Sequence, residues 1–191
     1  MGFWKGYCGV SDMYFDAIIA GFGGQGIMVI GRALCYAGMK EGKEVSWLPS
    51  YGPEMRGGTA NCTVVMSDKS VGSPVVECPL ALVAMNLPSL DKFEPKVRQG
   101  GLVVYNVSLI NREPKRGDLR VIPIRANEIA NELGVPKALN MVALGALVGA
   151  SEVVKIETVQ EVVEEMFAGN EKVKEKNREA LMAGYLEVKG R

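Results

Sequence analysis

Four glycines fall within six positions in Gly21-Phe22-Gly23-Gly24-Gln25-Gly26, after the apolar run Ile18-Ile19-Ala20 and at the head of a helical pattern over Gln25 to Met39. The chemistry this suggests is anion binding. Glycines let the backbone turn with positive φ and bring bare N–H groups against a ligand, while the helix that follows directs its positive dipole end at the same point. Gly21, Gly23 and Gly26 satisfy G-x-G-x-x-G. Such a turn also serves plain close packing of helix on strand, so alone it marks only a candidate.

A second stretch with chemical content is Ser50-Tyr51-Gly52-Pro53-Glu54-Met55-Arg56-Gly57-Gly58-Thr59, which follows the second strand pattern. At the C-terminal edge of a parallel sheet this loop would open beside the glycine turn, where ligands bind in such folds. Arg56 would offer a planar fork of donors to phosphate or carboxylate, and Gly57-Gly58 would allow close backbone approach. A surface ion pair of Arg56 with Glu54 is the plainer alternative.

The residues that are missing narrow the chemistry. A nicotinamide or flavin dinucleotide site calls for an acid at the end of the second strand, about 20 residues beyond the glycines, to take the ribose hydroxyls. Glu41 and Glu44 lie at the beginning of that strand instead, which disfavours an NAD-dependent dehydrogenase. The chain has no histidine, and so lacks the commonest general base, triad member and metal ligand. No catalytic residue and no metal ligand set is assigned. Cys8, Cys35, Cys62 and Cys78 form no C-x-x-C pair, which argues against an iron–sulfur or zinc site and predicts reduced, mostly buried thiols.

The elements that must position these residues read as strands Ala17 to Ala20, Val45 to Leu48, Ala60 to Ser67, Leu80 to Asn86, Leu102 to Asn106 and Leu119 to Ile124. Helices are expected at Gln25 to Met39, Ser89 to Val97 with Ser89 as N-cap, Ala126 to Leu133, Ala138 to Ala150, Thr158 to Phe167 and Glu171 to Leu186. The alternation predicts an α/β fold: a single three-layer Rossmann-like domain with a mostly parallel sheet and a C-terminal helical tail. The expected organisation is an N-terminal tail over 1–13, the α/β domain over 14–170 and a C-terminal helix over 171–191. The tail lacks signal-peptide character, and Met13 is a candidate natural start.

In the helix from Ala138, small residues permit close packing, and Asn140 near its start is a candidate cap or ligand contact. Met55, Met85 and Met141 read as core filler. The last helix reads as a solvated face with Glu171–Lys174 and Glu175–Arg178 pairs. With 191 residues, 48% of them hydrophobic, the chain can bury a full core. Its 22 basic and 22 acidic residues cancel, so no broad positive field invites nucleic acid. No apolar run reaches the roughly 18 residues of a membrane span. A soluble cytoplasmic protein without nucleic-acid or membrane partners is expected.

Three motifs in order, Gly21-Phe22-Gly23-Gly24-Gln25-Gly26, Ser50 through Cys62, and Asn140-Met141-Val142-Ala143-Leu144-Gly145-Ala146, resemble those of the gamma subunits of 2-oxoacid:ferredoxin oxidoreductases, from about Phe15 to Phe167. The second motif is most similar to the 2-oxoglutarate and branched-chain types. The resemblance implies a subunit of a multi-chain enzyme that decarboxylates a 2-oxoacid, joins the acyl group to coenzyme A and reduces ferredoxin. It also implies that thiamine diphosphate and iron–sulfur clusters sit on partner subunits, while this chain helps hold coenzyme A. Gly21, Gly23, Gly24, Gln25 and Gly26 match the family's glycine turn; Glu54, Met55, Arg56, Gly57 and Gly58 match the loop facing it. The alternative is a stand-alone Rossmann-like nucleotide sensor without redox chemistry.

Overall fold

The structure, a computed structural model, describes residues 12–51 and 59–190. Its strands are β1 (Tyr14–Phe22), β2 (Glu44–Tyr51), β3 (Thr59–Ser67), β4 (Ala81–Ala84), β5 (Leu102–Asn106) and β6 (Arg120–Ile124). They form one sheet in the order β2-β3-β1-β4-β5-β6. Only β3 runs against the rest: β2 and β3 form an antiparallel pair that lies beside β1, whereas β1, β4, β5 and β6 pair in parallel.

The helices are α1 (Ile27–Lys40), α2 (Leu87–Phe93), α3 (Ala126–Glu132), α4 (Leu139–Ser151), α5 (Ile156–Met166) and α6 (Glu171–Lys189). Strand side chains alternate between two buried layers, as the period of two requires. Phe15, Ala17, Ile19, Val83 and Val104 join the core under α1, α4 and α5, while Ile18, Ala20, Leu82 and Val103 join that under α2. Helices thus lie on both faces of a mostly parallel sheet, the expected three-layer Rossmann-like arrangement.

Three expectations need correction. The first concerns Asn86: the fourth strand stops at Ala84, and Asn86, with extended φ −153° and ψ 164°, caps α2 by accepting the Ser89 N–H at 2.9 Å. Ser89 is therefore inside the helix, and Pro88 fits the first turn because no amide hydrogen is needed there.

The second is the capping role of Asn140. Ala138 occupies the N-cap position of α4, without a side-chain cap, and Asn140 lies within the helix.

The third is α6, which is no solvated appendage. Ala180, Leu181, Gly184 and Val188 are buried where it crosses α4. A Cβ on Gly145 would strike the Leu181 carbonyl oxygen and lie 2.8 Å from the Tyr185 nitrogen; one on Gly184 would strike Val142, 2.7 Å from its carbonyl carbon. Only glycine permits backbones this close. The first turns are solvated, with Glu171–Lys174 at 2.8 Å, but Arg178 pairs with Glu164 of α5 at 3.4 Å rather than with Glu175. Late in α4 the sequence pattern holds: every position but Leu139 is buried. Met85 and Met141 are core residues, both fully buried.

Candidate anion site at the glycine turn

From β1 the chain crosses through α1 to β2 on one side, and β4 leads to β5 and β6 on the other. The C-terminal ends of β1 and β4 thus frame the point where strand order reverses, the usual ligand crevice of open α/β sheets. The glycine turn occupies it. Gly24 has φ +97° and Gly26 φ +72°, conformations that favour glycine, and Gln25 N–H closes the turn on the Phe22 carbonyl at 3.2 Å. Gly21 is needed for space: a Cβ there would lie 2.6 Å from Gln25 Oε1 and 2.7 Å from Ile27 Cδ1.

The Gln25 side chain braces this turn. Its Oε1 accepts the Phe22 N–H at 2.7 Å, and its Nε2 donates to the Met85 carbonyl at 3.3 Å. Asn86 Nδ2 adds a 3.5 Å contact to the same Oε1. One carboxamide therefore ties the end of β1 to the end of β4. In contrast, the N–H groups of Gly23, Gly24, Gly26, Ile27 and Met28 have no acceptor among the described residues. α1 has neither a side-chain cap nor an acid in its first turn. The result is a partly open set of neutral donors at a positive helix end, suited to a phosphate or carboxylate.

Asn140 joins this cluster from 114 positions along the chain. It is 6% exposed, and its Cγ and Cβ lie 2.8 and 3.0 Å from where a Cβ on Gly26 would sit. The structure thus brings together Gly21, Gly23, Gly24, Gln25, Gly26 and Asn140. The expected Glu54, Met55, Arg56, Gly57 and Gly58 lie outside the described residues. The strands flanking their loop end at the same edge, since Tyr51 pairs with Ala60 and Ala60 with Gly21.

Sequence reasoning passed over the neighbours of this site. Asn86 follows β4 as the cap of α2, and Asn106 ends β5, where its Oδ1 accepts the Ala126 N–H at 3.2 Å and its Nδ2 donates to Asn127 at 2.8 Å. The available signal was an Asn directly after each apolar run, with Pro88 two residues beyond Asn86.

Two other features do not compete for an anion. A cavity of about 530 Å³ opens at the opposite edge of the sheet, where Asp12, Glu41, Asp68, Glu152 and Glu157 outnumber Lys43 and Lys155 around an apolar floor. Burial holds the enclosed thiols in the protonated form at neutral pH: with a contribution from Cys62 it pushes Cys35 up to about 12, and it pushes Cys62 up to about 11. Among the described residues no three His, Cys, Asp or Glu side chains gather to hold a metal ion, and no helix is long and apolar enough to cross a membrane.

Residues 16–187 match the family model described as pyruvate ferredoxin/flavodoxin oxidoreductase. The chain belongs to this family. Its sequence is 43% identical over 171 residues to ketoisovalerate oxidoreductase subunit VorA of Methanothermobacter marburgensis, covering 87% of this chain and 35% of that one. It is 33% identical over 174 residues to 2-oxoglutarate synthase subunit KorC of Methanocaldococcus jannaschii, covering 87% and 90%. The chain therefore spans about a third of the VorA relative and nearly all of the KorC one.

Among solved structures, the keto/oxoacid ferredoxin oxidoreductase gamma subunit of Geobacter sulfurreducens superposes with a TM-score of 0.80 at 28% identity, over 93% of this chain and 99% of that one. The 2-oxoglutarate:ferredoxin oxidoreductase of Magnetococcus marinus, solved with 2-oxoglutarate, coenzyme A and succinyl-CoA bound, gives 0.85 at 26% identity over 93% of this chain and 31% of that one.

Proposed function

We propose that this chain is the gamma subunit of a multi-subunit 2-oxoacid:ferredoxin oxidoreductase of the 2-oxoglutarate or branched-chain type, and that it binds the phosphate-bearing end of coenzyme A at the glycine turn. The observation that carries the reading is the row of N–H groups without an acceptor among the described residues, Gly23, Gly24, Gly26, Ile27 and Met28, at the switch point of the sheet. A diphosphate and a 3′-phosphate fit such donors, and neither requires the ribose-reading acid that β2 lacks. Arg56, which the resemblance matches to the family's loop opposite the glycine turn, is assigned to the same phosphates.

In this reading the chain binds and orients, while thiamine diphosphate and iron–sulfur clusters on cytoplasmic partner subunits supply the decarboxylation and electron chemistry. The whole complex would convert the 2-oxoacid, coenzyme A and two oxidised ferredoxins into acyl-coenzyme A, carbon dioxide, two reduced ferredoxins and a proton, and the partner subunits' clusters would supply the electron path. Gln25 holds the turn while the N–H groups fix the phosphates. A correctly placed thiol then meets the acyl carbon as an effectively intramolecular partner.

Anaerobic affinity purification of the tagged chain from its own host tests the assembly. Co-purification of thiamine-binding and cluster-binding chains with coenzyme A-dependent 2-oxoacid oxidation is expected; recovery of the chain alone would favour the nucleotide sensor. In the complex, Arg56→Ala should raise KM for coenzyme A about tenfold while leaving thiamine-dependent decarboxylation intact. An unchanged KM would remove Arg56 from the site.

A further inference from the structure

Four of the six helices begin in the ordinary way. α2 is capped by Asn86 and α6 by Asn170, which accepts the Val173 N–H at 3.2 Å. α3 carries Glu128 and α5 carries Glu157 in the first turn. The two that remain, α1 of 14 residues and α4 of 13, have neither a side-chain cap nor a first-turn acid. These are also the two whose N-termini touch, at Gly26 and Asn140. Two ends of about +0.5 charge each thus converge, and among the described residues neither has a capping side chain or a first-turn acid to offset it.

A second observation points the same way. The Asn140 carboxamide is 6% exposed and forms no hydrogen bond among the described residues, whereas buried Asn86 and Asn106 each make two or more. The Asn140 amide atoms are not among the fully enclosed polar atoms that lack a partner, so the carboxamide of this otherwise buried residue reaches open space and is free to meet a ligand. Its position against Gly26 aims it at the donors of the α1 end.

We propose that Asn140 and the α4 N-terminus form the second half of the anion site, so that a diphosphate is clasped between two helix ends with Asn140 Nδ2 donating to a phosphoryl oxygen. Asn140 is then a specificity-determining contact. Its carboxamide supplies a hydrogen without the charge that would neutralise the field, and a carboxylate in the same place would repel the ligand. This deepens, and as to the identity of the ligand rests on, the coenzyme A reading.

The test titrates inorganic pyrophosphate into the full-length chain by calorimetry, for the wild type, Asn140→Asp and Asn140→Ala, with thermal melts alongside and coenzyme A as competitor. Binding by the wild type is expected, weakened more than about tenfold in Asn140→Asp and about fivefold or more in Asn140→Ala. Asn140→Ala should melt close to wild type, because the amide it removes bonds to nothing described, so lost binding in that variant is separable from lost folding. Pyrophosphate bound equally by all three, or not bound by the wild type, overturns the proposal. Binding that depends on Asn140 but is indifferent to coenzyme A supports the two-helix pocket and removes the coenzyme A reading instead.

Discussion

The two edges of this sheet bury different polar groups. Apart from the serines Ser67, Ser89 and Ser151, the buried polar groups are carboxylates at the edge where β1, β4 and β5 begin, Asp16 at 1% and Glu94 at 3% exposure, and carboxamides at the edge where they end, Asn86, Asn106 and Asn140. The carboxylates anchor loops by charge-assisted bonds to backbone N–H: Asp16 takes Leu80 at 2.6 Å, and Glu94 takes Lys115 and Arg116 together with the Arg112 guanidinium. Charge is useful there because nothing but the chain itself must be held. At the other edge, amides close the turns and cap α2 while leaving the helix-end field intact for a ligand. The contrast predicts that removing polar groups at the first edge costs stability, and at the second costs binding.

The largest effect should come from Glu94. Truncation in Glu94→Ala orphans two backbone N–H groups and leaves Arg112, among the described residues, with exposed Asp91 and the Glu113 carbonyl, a loss of about 3–5 kcal/mol in denaturant unfolding. Glu94→Gln, which keeps an acceptor, should lose less than half of that. Asn140→Ala at the opposite edge should change stability by under about 1 kcal/mol, because that amide bonds to nothing described. Equal losses in Glu94→Ala and Asn140→Ala would erase the distinction between the edges.

The comparison also explains what could be read in advance. The glycine turn, the alternation of elements and the close packing of α4 were legible because they depend on local rules: positive φ, period, and small residues on an apolar helix. The antiparallel β3 was not, since strand direction within a sheet is set by which neighbours it reaches. The burial of α6 was hidden because Gly145 and Gly184, 39 positions apart, only acquire meaning when they meet. Gln25 was legible as part of a motif but not as a brace, for its partners Met85 and Asn86 lie 60 residues on. Asn140 was visible as a motif residue and as a candidate cap or ligand contact near a helix start; that it meets Gly26 is a tertiary fact.

The next effect in size sharpens the view of the ligand edge. Gly26→Ala must hold φ near +72° and press its Cβ into Asn140, and should cost roughly 2–3 kcal/mol. In the double variant Gly26→Ala/Asn140→Ala the overlap with the Asn140 carboxamide is gone, leaving the 3.0 Å approach to the Cβ at position 140 and the backbone term. The pair should therefore be destabilised less than Gly26→Ala alone, a coupling read from a double-mutant cycle. Strict additivity would mean that the two residues do not press on one another.

The smallest effect is a pH dependence at the carboxylate edge. Burial raises the Asp16 carboxyl above its usual 3.8, against the opposing Leu80 N–H and Tyr14 hydroxyl bonds. Because the folded state holds this proton more tightly than the unfolded chain does, the Asp16 contribution to stability is fully present below about pH 3.8 and is lost as pH rises through the folded value. Asp16→Asn keeps an acceptor for Leu80 and cannot ionise, so the stability difference, variant minus wild type, should grow with pH across that window and then level off. Tyr14, pushed up to about 12 by burial and then by Asp16, acts in the same sense at the alkaline end: its contribution is lost only as pH rises from about 10 through 12. Denaturant melts from pH 3 to 7 on both proteins read the Asp16 difference directly. A difference that is flat with pH would show that the buried carboxylate at this edge is as easily charged as one in water, and the contrast between the edges would then rest on Glu94 alone.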